Sequence, residues 1–243
     1  MSARPLPAQT RVELTLTARR GDSLLLIVGI PLGLLVFFSL ADVLPTGTDD
    51  PVDFLAPGVI ALAVMSTAMV QTAIGTAFER QYLVLKRLGV TPLGRPRLLV
   101  AKIVAMAAVI GVQLVLLGGV GVALGWSPDA GGVPAALAAV VLATLAFGGI
   151  GFAMAGRLRG EVTLAAANGL YLVLLLLGGM VIDLDELPGW LADTARLLPA
   201  AALSDAVHGT LGAAGGVPGR AWAVLAVWAV LAPLAAIRVF RWE

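Results

Sequence analysis

The chain has 243 residues, 59% of them hydrophobic and only 13% charged, with a mean hydropathy of +0.98. Soluble domains carry about 25% charged residues, so this composition is that of an all-α polytopic membrane protein. The absence of cysteine and the single histidine, His208, exclude disulfides, thiolate metal sites and any two-histidine site. Neither of the two lysines, Lys86 and Lys102, follows a glycine, so a GxxxxGK[ST] phosphate loop is excluded and any ATP must sit on another chain.

Residues 1–22 carry Arg4, Arg11, Arg19 and Arg20. Val12, Leu14, Leu16 and Ala18 alternate with polar residues as in a strand, whereas Leu6, Thr10, Glu13 and Thr17 share one side of a short helix. A basic segment followed at once by a span is expected to lie along the cytoplasmic membrane surface as an interfacial helix; a charged leader that only sets orientation is the plainer alternative. The apolar run Ser23–Ala41 is too long for a signal core. At 1.5 Å per residue its length spans the ~30 Å hydrocarbon layer, with Pro31 expected to kink it.

An acidic, turn-rich loop with Asp42, Asp49, Asp50 and Asp53 follows. The second span, Phe54–Phe78, is the most polar, with Ser66, Thr67, Gln71, Thr72 and Thr76. Thr67 and Gln71 share a face at i,i+4, as do Thr72 and Thr76. The third span is expected over Leu98–Leu124, the fourth over Val133–Ala155, the fifth over Val162–Ile182 and the last over Arg220–Val239. A tight basic turn, residues 157–161, joins the fourth to the fifth. Residues 183–218 are too apolar for a solvated loop; Leu184, Leu187, Leu191 and Leu198, then Leu203, Val207 and Leu211, recur at helical spacing. They are read as two short amphipathic helices forming an outer, re-entrant hairpin.

Six crossings with the N-terminus in the cytoplasm leave only Arg196 and Arg220 outside and the other fourteen Lys and Arg inside, as the positive-inside rule requires. Ten acids then lie outside. Heavy use of Ala, Gly, Val and Arg over Lys, Asn and Ile suggests a GC-rich bacterial genome, hence a bacterial cytoplasmic membrane.

The most distinctive stretch is Glu79–Lys102. It holds six basic residues (Arg80, Lys86, Arg87, Arg95, Arg97, Lys102) and a single acid, Glu79. Its first half reads as a short amphipathic helix, and Gly89, Pro92, Gly94 and Pro96 force a compact turn after it. Cytoplasmic loops are basic in any case; an ordered charged knob beneath a bundle also suits docking onto a soluble partner.

The residues Phe78-Glu-Arg-Gln-Tyr-Leu-Val-Leu-Lys-Arg-Leu-Gly-Val-Thr-Pro-Leu93 resemble the signature loop between the second and third spans of type 2 ATP-binding-cassette (ABC) transporter permeases of the drug-exporter branch, RE-x-G-x-L-K-R-L-x-x-T-P-L. The family's R-E pair stands here as Glu79-Arg80, and its small residue is replaced near Tyr82. Phe54-Leu-Ala-Pro-Gly58 resembles the family's opening of the second span. Gly178-Gly179, Leu187-Pro188-x-Trp190-Leu191 and Leu198-Pro199 resemble its outer hairpin. The resemblance covers nearly the whole chain. It implies a single permease domain, residues 1–243, with a cytoplasmic interfacial segment (1–22), an ATPase-coupling loop (79–97) and the outer hairpin (183–218). The coupling residues it implies are Glu79, Arg80, Tyr82, Lys86, Arg87, Leu88, Thr91 and Pro92. It also implies a cognate ABC ATPase that carries ATP and Mg²⁺, and a second permease copy. The expected function is export of a hydrophobic or amphipathic substrate, with membrane lipids around the chain and no nucleic-acid partner.

A substrate path would use Thr67, Gln71 and Thr72 with Asn168 and Tyr171 of the fifth span, since polar groups in a span are costly unless paired or wetted; interhelical hydrogen bonding is the equal alternative. His208 is read as an exposed outer residue. Asp183, Asp185 and Glu186 are read as solvated acids, not a cation site. A carrier outside the ABC class, a membrane scaffold and an intramembrane enzyme are the competing functions. The enzyme lacks a nucleophile–base pair or metal set within the bilayer, and an ion-coupled carrier lacks a midplane ionisable group.

Overall fold

The structure is a computed structural model that describes residues 5–19, 21–41, 51–89, 95–180, 184–212 and 216–240. No strand occurs among the described residues. Helix α1 (Pro5–Arg19) precedes the apolar α2 (Gly21–Ala41), which runs through Pro31. The second span is one continuous rod: α3 (Pro51–Met65), a π-helical segment (Ser66–Gln71) and α4 (Thr72–Gln81). After the short α5 (Val84–Gly89) come α6 (Arg95–Ala123), α7 (Val133–Arg157) and α8 (Gly160–Leu176). The hairpin follows as a single 3₁₀ turn (Leu184–Glu186), α9 (Gly189–Ala195) and α10 (Pro199–Leu211), before α11 (Gly219–Val239).

Four of these rods, Pro51–Gln81, Arg97–Ala123, Val133–Arg157 and Gly219–Val239, are long and apolar enough to cross a membrane. Leu25–Ala41 and Gly160–Leu176 are shorter apolar helices, at the lower end of the roughly 17–25 residues a span uses. The protein is therefore an all-α polytopic membrane protein, and α1 settles the N-terminal segment as a helix.

The rod Pro51–Gln81 is the bundle's axis, enclosed over most of its length. Helix α7 presses against it because glycines remove the Cβ atoms that would block contact. A Cβ at Gly151 would come within 2.7 Å of the Met69 carbonyl oxygen, and one at Gly149 within 2.5 Å of the Ala232 backbone in α11. Small residues at helix contacts are what packing in lipid relies on. The main core runs from Leu55 through Met69 to Phe147 and Leu203. A second, smaller core of Leu85, Leu98, Leu99, Phe152, Ala236 and Phe240 lies at the opposite end from the hairpin.

Three expectations need correction. The fifth span stops at Leu176, short of Ile182: the chain turns at Gly178 and Gly179, and Gly179 sits at φ 63°, a left-handed conformation that a glycine adopts without strain. The stretch after Glu79 is not one amphipathic helix. The second span continues to Gln81, breaks at Tyr82–Leu83, where Leu83 takes φ 60°, and α5 restarts at Val84. His208 is half-buried: its Nε2 lies 3.1 Å from the Phe54 carbonyl oxygen and its Nδ1 2.9 Å from that of Ser204. Its ring also packs 5.0 Å from that of Phe54, so it ties α10 to the start of the second span. Asp42, Asp49, Asp50 and Asp183, and the side chain of Asp185, lie outside the described residues; Glu186 is exposed.

Candidate functional site

The site is the end of the second span that the charge rule places in the cytoplasm. Three consecutive side chains there each hold a different part of the bundle. The Glu79 carboxylate accepts from Lys102 Nζ of α6 at 2.6 Å, and the same ammonium lies 3.0 Å from Glu13 of α1. The guanidinium of Arg80 donates to the carbonyls of Gly156 and Leu158, where α7 ends. A cation is favoured at such a helix C-terminus, whose last carbonyls have no partner within the helix. Gln81 Oε1 accepts from the Gly160 amide at 3.1 Å, in the first turn of α8. A Cβ at residue 160 would come within 2.3 Å of that oxygen, so glycine is what lets the bond form. The turn between the fourth and fifth spans is thus clamped by residues of the second.

Beyond the clamp, Leu83 in its left-handed conformation re-aims the chain. Leu85 is fully buried in the smaller core and anchors α5 against α6, α7 and α11. Its neighbours Tyr82, Leu83, Val84 and Lys86 are exposed. The result is a knob with one apolar anchor and an aromatic, aliphatic and basic outer surface. The side chains of Arg87 and Leu88, and the whole of Thr91 and Pro92, lie outside the described residues.

Above the clamp, a cleft of about 120 Å³ opens between α1, the π segment and α6. Thr67, Gln71 and Thr72 line it together with Thr76, and Glu13, Glu79 and Lys102 close one end. The π segment coincides with this polar stretch, and such segments occur often at functional sites. Thr67 donates to Gln113 Oε1 at 2.9 Å, Gln113 in turn donates to the Ile27 carbonyl at 2.9 Å, and the Thr72 hydroxyl lies 2.9 Å from the Met106 sulfur. Asn168 and Tyr171 do not join this cleft. Asn168 is exposed and donates to Leu164 of its own helix at 2.8 Å, and Tyr171 packs against the main core.

Sequence reasoning missed four contributors: Glu13, Gln81, Lys102 and Gln113. Lys102 carried a signal, being one of two lysines and sitting at the mouth of a span. Gln113 carried a stronger one, as the lone amide within the third span.

The sequence contains no GxxxxGK[ST] phosphate loop. The geometry defines a membrane-spanning helical bundle with an exposed knob at the α4–α5 junction. The ABC-2 type transporter family matches residues 10–211, and the chain belongs to that family. It is a transport subunit, and in this family ATP hydrolysis is the task of a separate ATPase. No curated protein matched the chain.

Proposed function

We propose that this protein is the permease half of an ABC exporter that moves a hydrophobic or amphipathic molecule out across a bacterial cytoplasmic membrane. A cognate ATPase, which holds ATP and Mg²⁺, supplies the work, and a second permease copy completes the pathway. The observation that carries the reading is the knob: Leu85 fixes it to the bundle while Tyr82 and Lys86 project from it. A lysine-bearing knob of this kind suits an acidic cleft on a soluble subunit, and the resemblance of the loop assigns Arg87, Leu88, Thr91 and Pro92 to the same coupling role.

Glu79 and Arg80 have a different role from the exposed residues. They are engaged inside the chain, so they transmit rather than dock. A push on α5 reaches α4 directly, then α7 through Arg80, α8 through Gln81, and α6 and α1 through Glu79 and Lys102. The cleft lined by Thr67, Gln71 and Thr72 sits immediately above and changes shape with that movement. It is the best candidate for the entry of substrate from the inner leaflet, and Asn168 and Tyr171 belong to the path only where it passes along α8. The test is co-expression with a candidate ABC ATPase, followed by membrane extraction and capture. Wild type retains the ATPase and Tyr82→Ala/Lys86→Glu loses it; equal capture by both would move the contact elsewhere.

A further inference from the structure

The polar cleft above the clamp holds more hydrogen-bonding capacity than its own residues use. Thr72, Gly75, Thr76 and Glu79 line it from the second span, at a spacing that keeps them on one face of the rod. Space is open over Gly75, where a Cβ would meet nothing within 4 Å. Glu13 on the facing wall is fully engaged: Gln9 donates to its Oε1 at 2.8 Å and Lys102 to its Oε2 at 3.0 Å. Glu79 takes the same ammonium on Oε2 at 2.6 Å, and its Oε1 has no partner among the described residues.

One turn away, Thr76 is only 3% exposed, yet its hydroxyl makes no hydrogen bond among the described residues. Thr15, Thr17 and Thr210, by contrast, each donate to the carbonyl four residues back in their own helix. A buried polar group left unmatched costs stability, and an open carboxylate oxygen beside it calls for a donor. The charge of the lining decides which donor. Two carboxylates and one ammonium line the cleft, so one negative charge is uncompensated. Arg80, next in the chain, does not supply the missing cation, because it is turned onto the Gly156 and Leu158 carbonyls.

An anionic head is repelled by this end of the cleft. An ammonium that carries N–H groups gives Glu79 Oε1 a charge-assisted hydrogen bond and Thr76 a partner at once. At about 120 Å³ the cleft is well below the roughly 300–1,000 Å³ that encloses a drug-sized ligand. It therefore takes a head group, and the apolar body lies over Gly75 against Ile27, Ala105 and Val109.

We infer that the cleft selects amphiphiles with a protonated primary or secondary amine as head, bound by Glu79 and Thr76. The inference rests on the reading of this cleft as the entry for substrate and names the class of substrate it admits.

The experiment measures binding to the full chain alone in dodecylmaltoside, by scintillation proximity with tritiated decylamine, an ammonium at pH 7. Unlabelled decylamine, decanol, decanoate and decyltrimethylammonium compete for the label. Wild type should prefer decylamine to decanol and to decyltrimethylammonium by at least about tenfold, the worth of one hydrogen bond to a charged group, with decanoate weaker still. Glu79→Gln leaves Lys102 paired with Glu13 and should level amine and alcohol. Gly75→Leu puts a side chain into the open space and should abolish binding of the label. Dioleoylphosphatidylethanolamine and its phosphatidylcholine counterpart separate the two sources of such a head. Displacement by the ethanolamine lipid alone assigns it to a membrane lipid, and displacement by neither assigns it to a free amphiphilic amine. Equal competition by amine and alcohol in wild type, equal displacement by both lipids, an undiminished amine preference in Glu79→Gln, or full binding by Gly75→Leu would each overturn the assignment. Capture of a candidate ABC ATPase by the same wild-type preparation keeps the two readings apart: capture without amine preference overturns the substrate class alone, and amine preference without capture counts against the transporter reading alone.

Discussion

Replacing Lys102 by Met removes the one cation between two carboxylates while keeping the length of the side chain. Its Nζ lies 3.0 Å from Glu13 and 2.6 Å from Glu79, and the three side chains are only 9, 11 and 17% exposed. Screening by water is weak at that burial, so two negative charges are left facing each other with no cation between them, Glu13 keeping only the Gln9 amide at 2.8 Å. Breaking a buried pair from one side costs about 3–5 kcal/mol, which in a chain of this size lowers the unfolding temperature by on the order of 10 °C. Glu13→Gln alone should cost less, because Lys102 keeps Glu79. Lys102→Met combined with Glu13→Gln and Glu79→Gln should recover at least half the loss, since no charge remains buried. Thermal unfolding of the detergent-solubilised full chain measures all three. A loss under about 2 °C for Lys102→Met, or no recovery in the triple variant, would show that the charges do not hold α1, α4 and α6 together.

Other changes probe the remaining joints. Gln113→Leu removes the bridge between Thr67 and Ile27 and should cost about 1–2 kcal/mol, near the upper end for an interhelical hydrogen bond in lipid; the same thermal scan reads it. Gly149→Ala drives a methyl into the Ala232–Pro233 backbone and should destabilise by about 1–3 kcal/mol, whereas Gly169→Ala, whose Cβ meets nothing within 4 Å, should be neutral or slightly stabilising. Arg80→Ala frees the α7–α8 turn, so amide hydrogen exchange over residues 158–163 should accelerate while the hairpin is unchanged; exchange that stays slow would remove Arg80 from the clamp.

The spans were legible because hydropathy over about 20 residues is a direct reading of the bilayer's thickness. The fourth span was expected over Val133–Ala155 and is helical over Val133–Arg157, and the last was expected over Arg220–Val239 and is helical over Gly219–Val239. The fifth failed at its end because Val181 and Ile182 are apolar enough to extend a span, while Gly178 and Gly179 decide the backbone. The break at Leu83 was illegible for the opposite reason: no glycine or proline marks it, and the left-handed turn is imposed by Leu85 reaching the smaller core and Arg80 reaching α7. His208 looked exposed because it was placed on the outer surface of the expected hairpin, whereas α10 turns it onto Phe54 at the start of the second span.

The polar residues of the second span were visible as a set, and Thr67, Gln71 and Thr72 do share a cleft. Their partners were not visible, because Gln113 and Lys102 come from a helix whose rotation only packing determines. Asn168 and Tyr171 were grouped with them by composition alone, and α8 turns them elsewhere.

The central claim is that force from a soluble ATPase enters through the exposed face of the α4–α5 junction. The chain contains no cysteine, so single cysteines report cleanly. Tyr82→Cys and Lys86→Cys, co-expressed with the ATPase and treated with a short bifunctional thiol reagent, should each cross-link to that subunit. Trp190→Cys in the hairpin, equally exposed, should not. Cross-links from neither position 82 nor 86, or from position 190 as readily, would contradict the account.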